Sequence, residues 1–211
     1  MKDVLKFLIK SILAGIMIAI GGTVFLSLES KVLGALFFSI GLFMIVTCGF
    51  NLYTGKVGYI FDNKPGYLVE VGVTIIGNFI GTNLVGYALR LTRIYEPISE
   101  KAAVMCQTKL SDSVISILVL SCLCGMLMYL AVNGYKAVAD PVGKYLSVFL
   151  GVIVFILCGF EHSIANMYYF SVAGWSLKAF GYLALMIVGN GIGGVFIPLC
   201  TKAVKALEKQ Q

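Results

Sequence analysis

A glutamate and a histidine stand side by side, as Glu161 and His162, in a stretch from residue 145 to 177 that contains no other Asp, Glu, Lys, Arg or His. His162 is the only histidine of the chain. Three roles are open for this imidazole: a neutral brace for a broken helix, a contact for an anion passing along a polar path, or a metal ligand. The metal role is the least favoured, because no second histidine or Cys–Asp cluster accompanies it. If the stretch lies in a membrane, ionisable groups at that depth indicate a functional site.

Glu161 is expected to have a structural role, because an unpaired carboxylate is costly in apolar surroundings. It would accept backbone N–H bonds where a helix breaks, or bond indirectly to His162. Thr54 either satisfies its own backbone or lines a pore. Taken alone, Lys109 indicates an ordinary cation at a membrane rim.

Two asparagines, Asn78 and Asn190, lie beside glycines within apolar helices. A side-chain amide in that setting must hydrogen-bond across helices or to an unwound segment. Both are predicted to hold helices together, and Asn190 is the one expected to contact a break.

The composition indicates an integral membrane protein. Of the 211 residues, 59% are hydrophobic and only 12% are charged, whereas ordinary soluble domains have about 45–50% and about 25%. This excludes a disordered chain, a coiled coil and a typical cytosolic enzyme. Five of the six cysteines lie in or beside apolar runs and only Cys106 lies in a polar connection, which predicts small buried side chains rather than disulfides or a metal site.

Six membrane spans are predicted, since a bilayer needs roughly 20 apolar residues per helix. The predicted spans are residues 11–28, 32–55, 71–89, 113–135, 145–177 and 179–201. The fifth is too long for one plain crossing and too short for two with a loop. The first is expected to be a retained helix, because no small-residue cleavage site follows it.

An even number of spans places both termini on one side. Ten lysines fall on the side of the termini and six basic residues on the other. The positive-inside rule therefore predicts cytoplasmic termini in a cell inner membrane. The net charge of +6 is then a topology signal, and no nucleic-acid partner is expected.

An internal repeat relates the two halves of the chain. The segment Cys48–Asn51 recurs as Cys158–Glu161, and Ile76–Gly81 recurs as Val188–Gly193, at nearly the same offset. These matches pair span two with span five and span three with span six. Because each unit has three spans, the two units must have opposite orientations in the membrane, as in inverted-repeat channels and transporters.

The repeat also predicts where helices break. Each Cys-Gly-Phe ends an apolar run and is followed by polar residues at membrane depth, so span two should break at about 49–55 and span five at about 159–165. We expect a single transmembrane domain over residues 1–211, with repeat one at about 7–91 and repeat two at about 112–205. No nucleotide-binding fingerprint is present, so no cofactor is expected.

Several segments resemble the formate/nitrite transporter family. Residues Gly159–Met167 resemble the signature of that family, and Leu52–Thr54 resembles its first broken-helix motif. Residues Phe38–Leu42 and Val188–Asn190 match further family segments in order. The resemblance implies an all-α, aquaporin-like fold and a homopentamer in the bilayer with one pore per protomer. It implies a transported solute that is a small monovalent anion or its acid: formate, nitrite, hydrosulfide, acetate or lactate.

The resemblance also implies site roles. His162 would be the central pore histidine and Thr54 its partner. Lys109 would be a vestibule lysine and Asn190 a pore asparagine, with Glu161 beside the path. Two apolar constrictions would be formed by Phe38, Leu42, Leu52 and Phe155.

An anion in an apolar throat is penalised and its pKa rises, so passage as the neutral acid, or together with a proton, is expected. Channels for acetate-type or lactate-type acids and a neutral-solute aquaporin-like pore are the alternatives, although Asn-Pro-Ala is absent from both breaks. An enzyme with Glu161 and His162 as an acid–base pair is disfavoured for want of a soluble catalytic loop. The physiological anion, the direction of transport and the choice between channel and proton-coupled transporter stay open.

Overall fold

The computed structural model describes residues 2–210, and every regular element in this part of the chain is helical. The elements are α1 (Lys2–Ser27), α2 (Lys31–Phe38), α3 (Ile40–Cys48), α4 (Tyr53–Lys56), a 3-10 helix (Val57–Asp62), α5 (Tyr67–Leu89), α6 (Tyr95–Ser111), α7 (Val114–Ala137), α8 (Pro141–Cys158), α9 (Ser163–Ala173) and α10 (Leu177–Glu208). Six helical segments are long and apolar enough to cross a membrane, with α2 and α3 together forming one of them. This confirms the six predicted spans.

Several sequence-based boundaries differ from the structure: α1 begins at Lys2 rather than at residue 11, and α10 extends to Glu208 rather than to residue 201. Helix α5 begins at Tyr67, four residues earlier than predicted. Residues 95–111, expected to be a polar connection, form α6. Its buried residues Ile98, Ala102 and Cys106 recur every four positions, so they lie on one face of a helix. The hydrophilic residues on its other faces masked this pattern in the sequence.

Both predicted breaks are present, but they are shorter than expected. Gly49 ends α3 and Gly159 ends α8, each in the left-handed conformation with φ of 66° and 72°, a backbone geometry that glycine adopts without a steric penalty. Only residues 49–52 and 159–162 are irregular, because helix resumes at Tyr53 and Ser163. A left-handed glycine that ends a helix at the equivalent position of each half is what an inverted repeat predicts. The repeat limits of about 7–91 and 112–205 stay predictions.

Glycines set the closest helix contacts in each half. Helix α1 packs on α5 and α7 packs on α10. A methyl group added at Gly81 would overlap the Ile12 carbonyl oxygen on α1, and one added at Gly193 would overlap the Cys122 carbonyl oxygen on α7. These are equivalent positions of the two repeats. Backbones that approach so closely require small residues.

We expect Gly193→Ala to destabilise the protein by roughly 1–3 kcal/mol, because the two backbones must separate to admit a methyl group. Gly181→Ala is the matched control, since Gly181 lies on the same helix with no neighbouring atom within 4 Å of an added methyl. Thermal unfolding in detergent should show a loss for the first variant and none for the second. Equal melting temperatures would contradict the packing argument.

Candidate functional site

Two buried asparagines hold the two breaks in place. The Asn78 side chain accepts a hydrogen bond from the Tyr53 backbone N–H (2.9 Å) and donates to the carbonyl oxygens of Ser11 (2.7 Å) and Asn51 (2.9 Å). Every donor and acceptor on this amide therefore meets backbone. The first turn of α4 is fixed to α1 and α5 by these bonds.

Asn190 makes the equivalent bonds in the second half. It accepts from the Ser163 backbone N–H (2.8 Å) and donates to the carbonyl oxygens of Ser121 and Glu161 (2.8 Å each). The predicted contact of Asn190 with a break is confirmed. Asn78, which was not expected to contact a break, makes the same kind of bonds to the first one.

The two breaks bring Thr54 and His162 together. Thr54 Oγ1 lies 2.9 Å from His162 Nε2, although the residues are 108 positions apart in sequence. Their exposed fractions are only 1% and 2%. Thr54 is the second residue of α4 and His162 immediately precedes α9. The pair therefore lies where the two resumed helices begin.

The hydrogen bonds around His162 identify its neutral tautomer. The Ala165 backbone N–H donates to His162 Nδ1 (3.1 Å), which makes the imidazole the N-cap of α9. Because Nδ1 accepts, the proton of a neutral imidazole is assigned to Nε2, which donates to Thr54 Oγ1. The Thr54 hydroxyl hydrogen is then free to point at another acceptor.

Aromatic and aliphatic side chains surround this polar pair. The Phe155 ring stacks on the imidazole, with centroids 5.4 Å apart, and meets the Phe38 ring edge-on at 5.9 Å. Leu42 and Leu52 are both buried. All four residues expected to form constrictions thus lie in the apolar core around the two breaks, and their action as gates stays a prediction.

A cavity approaches the pair from each membrane face. We call the face where α1 begins the N-terminal side and the face where it ends the far side. The N-terminal-side cavity has a volume of about 220 Å³ and is lined by Leu52, Lys56 and Lys136 among others. The far-side cavity has about 320 Å³ and is lined by Lys31, Lys109 and Phe155 among others. Leu52 thus lines the N-terminal-side cavity, and Phe155, which stacks on His162, lines the far-side cavity.

Lys109 and Glu161 form an ion pair beside the far-side cavity. Lys109 Nζ lies 2.6 Å from Glu161 Oε2, and the two side chains are 14% and 5% exposed. The Asn166 side-chain amide donates to the same oxygen at 2.8 Å. The interpretation of Lys109 as an ordinary rim cation is therefore wrong. The expected backbone bonds to the Glu161 carboxylate are not found among the described residues, where side chains satisfy it instead.

Sequence reasoning missed three contributors to this arrangement. Asn166 and Ser121 join the bonds around the second break, and Lys31 lines the far-side cavity. Lys31 was counted only as a topology charge, and Asn166 only as part of a motif. The sequence signal that could have indicated Lys31 was an isolated charge next to an apolar span. In the described part of the chain, no group of three or more His, Cys, Asp or Glu side chains is close enough to hold a metal ion.

Comparisons with known proteins agree with this architecture. The sequence model described as formate/nitrite transporter matches residues 1–204. The chain is 30% identical over 187 residues to the uncharacterized transporter YrhG of Bacillus subtilis, covering 81% of this chain and 70% of YrhG. It is also 30% identical over 180 residues to the formate channel BtFdhC of Bacillus thuringiensis, covering 78% of this chain and 69% of that one.

A solved structure described as a pentameric formate channel with formate bound has the same fold. It superposes with a TM-score of 0.83 over 97% of this chain and 98% of that chain, at 23% sequence identity. The matched proteins are transporters and channels rather than enzymes. With a family match that extends over nearly every residue, six spans and two broken helices, the chain belongs to the formate/nitrite transporter family.

Proposed function

We propose that each chain forms a pore through which formate, nitrite or a similarly small monovalent anion crosses the membrane as its neutral acid or together with a proton. The observation that carries this proposal is the buried Thr54–His162 pair, 2.9 Å apart, between cavities that open toward opposite faces. Two hydrogen-bonding groups in an otherwise apolar throat suit a small solute with oxygen acceptors. The family membership and the formate channel among the relatives support formate or nitrite over larger acids.

The throat favours a neutral solute. Moving an anion from water into apolar surroundings is strongly unfavourable, so the environment of Phe38 and Phe155 raises the pKa of an entering acid. The solute then takes up a proton before it passes the rings. His162 Nε2–H and the Thr54 hydroxyl replace part of its hydration by hydrogen bonds.

The neutral tautomer gives His162 the role of a hydrogen-bond donor. Protonation of Nδ1 would oppose its hydrogen bond from the Ala165 N–H, since both groups would then be donors. In this scheme the proton that accompanies the anion comes from bulk water. His162 orients and stabilises the solute in the middle of the path.

Asn190 and Glu161 act on the path indirectly in this proposal. The Asn190 amide is fully occupied by backbone groups, so its contribution is to fix Ser163 and Glu161 where the helix resumes. Glu161 fixes Lys109 at the edge of the far-side cavity. Neither residue needs to contact the solute.

We further propose a homopentamer in the cell inner membrane with both termini in the cytoplasm. The pentameric formate channel with the same fold supports this assembly. Exposed apolar side chains on the described surface, including Leu33, Phe37, Leu84 and Leu150, support the membrane location, since they must meet lipid or neighbouring subunits. The excess of lysine on the side of the termini supports the orientation.

The test is uptake into proteoliposomes of formate, nitrite, hydrosulfide and lactate, offered separately at about pH 5.5 and about pH 7.5, with glycerol offered as a neutral solute. Protein-free liposomes control for neutral acid that crosses lipid unaided. We expect formate or nitrite flux well above that control, and faster at the lower pH. Flux of glycerol but of no anion would favour an aquaporin-like pore, and no flux above the control for any solute would refute the proposal.

A further inference from the structure

The Tyr53 side chain links the first break to the second half of the chain. Its hydroxyl group donates a hydrogen bond to the Ile187 carbonyl oxygen on α10 at 2.7 Å, across 134 positions of sequence. Tyr53 is only 3% exposed, and a buried tyrosine hydroxyl group usually has such a partner. Because the Tyr53 backbone N–H is bonded to Asn78 on α5, this neighbour of Thr54 is held from both halves.

A glycine on α10 leaves room for the tyrosine hydroxyl group. A methyl group added at Gly191 would lie 2.9 Å from the Tyr53 hydroxyl oxygen, and the next nearest atom, on Val57, would be 3.7 Å away. A larger residue at position 191 would therefore press on the hydroxyl group, because the interior is close-packed. The lack of a side chain at Gly191 thus lets the hydroxyl group reach the Ile187 carbonyl.

The same turn of α10 also holds the second break. Asn190 lies three residues after Ile187, so the two residues are neighbours on the helix surface. Asn190 accepts from the Ser163 backbone N–H and donates to the Glu161 carbonyl oxygen. The residues on either side of His162 are therefore fixed to the helical turn that receives the tyrosine hydroxyl group.

Together with the hydrogen bond between Thr54 and His162, these contacts form a closed network. Thr54 adjoins Tyr53, whose hydroxyl group binds α10, and α10 binds both neighbours of His162. The network closes where Thr54 Oγ1 lies 2.9 Å from His162 Nε2. One turn of α10 therefore sets the separation of the two polar side chains in the throat.

The second half of the chain does not repeat the tyrosine link. Ser163 occupies the position equivalent to Tyr53, and its buried hydroxyl group makes no hydrogen bond within the described part of the chain. Both breaks share the backbone bonds to an asparagine, but only the first adds a side-chain bond to the opposite half at this position. A break can therefore form without that bond, so the Tyr53 hydroxyl group is available for another role.

We propose that Tyr53 is a positioning residue, whose bond to Ile187 keeps Thr54 close to His162 and thereby limits the size of the solute that passes. This inference rests on the proposed anion transport. Selectivity in a narrow pore depends on its diameter and on the hydrogen-bonding groups that line it. A pair tethered through α10 separates only at the expense of a bond in the network, so a solute larger by one methyl group meets an added barrier.

The test compares uptake of formate and of acetate into proteoliposomes, because these anions differ by one methyl group. Rates are corrected for protein-free liposomes and for the amount of protein incorporated. Tyr53→Phe keeps the aromatic ring and removes only the hydroxyl group. The ratio of acetate to formate uptake should rise about threefold to tenfold, as the loss of one ordinary hydrogen bond allows. A general loss of stability would lower both rates together and leave the ratio unchanged.

Tyr182→Phe is the matched control. The Tyr182 hydroxyl group donates to the Asp112 carbonyl oxygen at 2.8 Å, so the substitution removes a bond of the same type and length. Neither Tyr182 nor Asp112 belongs to a break. The ratio of acetate to formate uptake should be the same in this variant as in the reference protein.

A second variant disturbs the same bond from α10. The methyl group of Gly191→Ala displaces the Tyr53 hydroxyl group, so the uptake ratio should rise as it does in Tyr53→Phe. In the Tyr53→Phe background the added methyl meets no hydroxyl group, and the double variant should match Tyr53→Phe alone. Gly181→Ala, which adds a methyl group with no neighbouring atom within 4 Å, controls for alanine on the same helix.

Three outcomes would overturn the inference, and they differ in meaning. Normal formate flux with an unchanged uptake ratio in Tyr53→Phe and in Gly191→Ala refutes the role of Tyr53 and leaves the proposed function intact. Additive effects of the two substitutions on the ratio would show that they do not act through one bond. No anion flux in the reference protein refutes the proposed function, and the inference with it.

Discussion

Replacement of His162 by phenylalanine is expected to lower anion flux about a hundredfold while the protein still folds. Phenylalanine fills a similar volume and keeps an aromatic ring against Phe155. It loses the bond to Thr54 and offers the solute no hydrogen bond in the throat. A polar solute left without this hydrogen-bond partner in an apolar throat is destabilised by about 1–3 kcal/mol, and the upper part of that range corresponds to this factor.

His162→Asn separates the pore role from the capping role. Asparagine is a favoured N-cap residue and accepts from the Ala165 N–H, but its side chain is too short to reach Thr54. We therefore expect a melting temperature close to that of the reference protein, with flux nearly as low as in His162→Phe. Proteoliposome uptake and thermal unfolding in detergent measure the two effects.

The Thr54 side of the pair has its own matched variants. Thr54→Val removes the hydroxyl group at nearly constant volume, and Thr54→Ser keeps it. The first should lower flux and the second should preserve it. Wild-type flux and unchanged pH dependence in His162→Phe would refute the assigned role of the Thr54–His162 pair.

Breaking the buried ion pair is expected to have the largest effect on stability. Glu161→Gln leaves the Lys109 ammonium, only 14% exposed, without a counter-charge. Loss of one partner of a buried ion pair costs about 3–5 kcal/mol. Lys109→Gln should destabilise the protein similarly, because it leaves the Glu161 carboxylate unpaired.

The double variant Glu161→Gln/Lys109→Gln should recover most of the lost stability, since no isolated charge remains. The exposed pair of Lys101 and Glu29, whose side chains are 36% and 92% exposed, is the control. Its disruption should cost less than about 1 kcal/mol. Thermal unfolding of all variants in one detergent provides the comparison, and single variants no less stable than the surface control would contradict the argument.

The sequence alone determined the membrane architecture of this protein. Apolar runs long enough to span a bilayer fixed the number of spans, because hydropathy is a local property that a lipid environment enforces. The recurrence of Cys48–Asn51 at Cys158–Glu161 fixed the inverted repeat and the two breaks. Left-handed glycines at Gly49 and Gly159 then ended the helices where the motif placed them.

Helix α6 was not predicted from the sequence. Its buried face is narrow, with Ile98, Ala102 and Cys106 as its buried residues, so it lacks the broad apolar surface that marks a span. The same helix carries Lys109 in its last turn. Its position over the far-side cavity depends on packing against α9 and α1.

Only the tertiary structure decided which polar groups meet. Thr54 contacts His162 across 108 residues of sequence, and Lys109 contacts Glu161 across 52. Such contacts depend on the depth and rotation of each helix, which are set by close glycine packing and by the bonds of Asn78 and Asn190 to the breaks. Hydropathy and spacing along one chain record neither depth nor rotation, because both arise only when the two halves pack together.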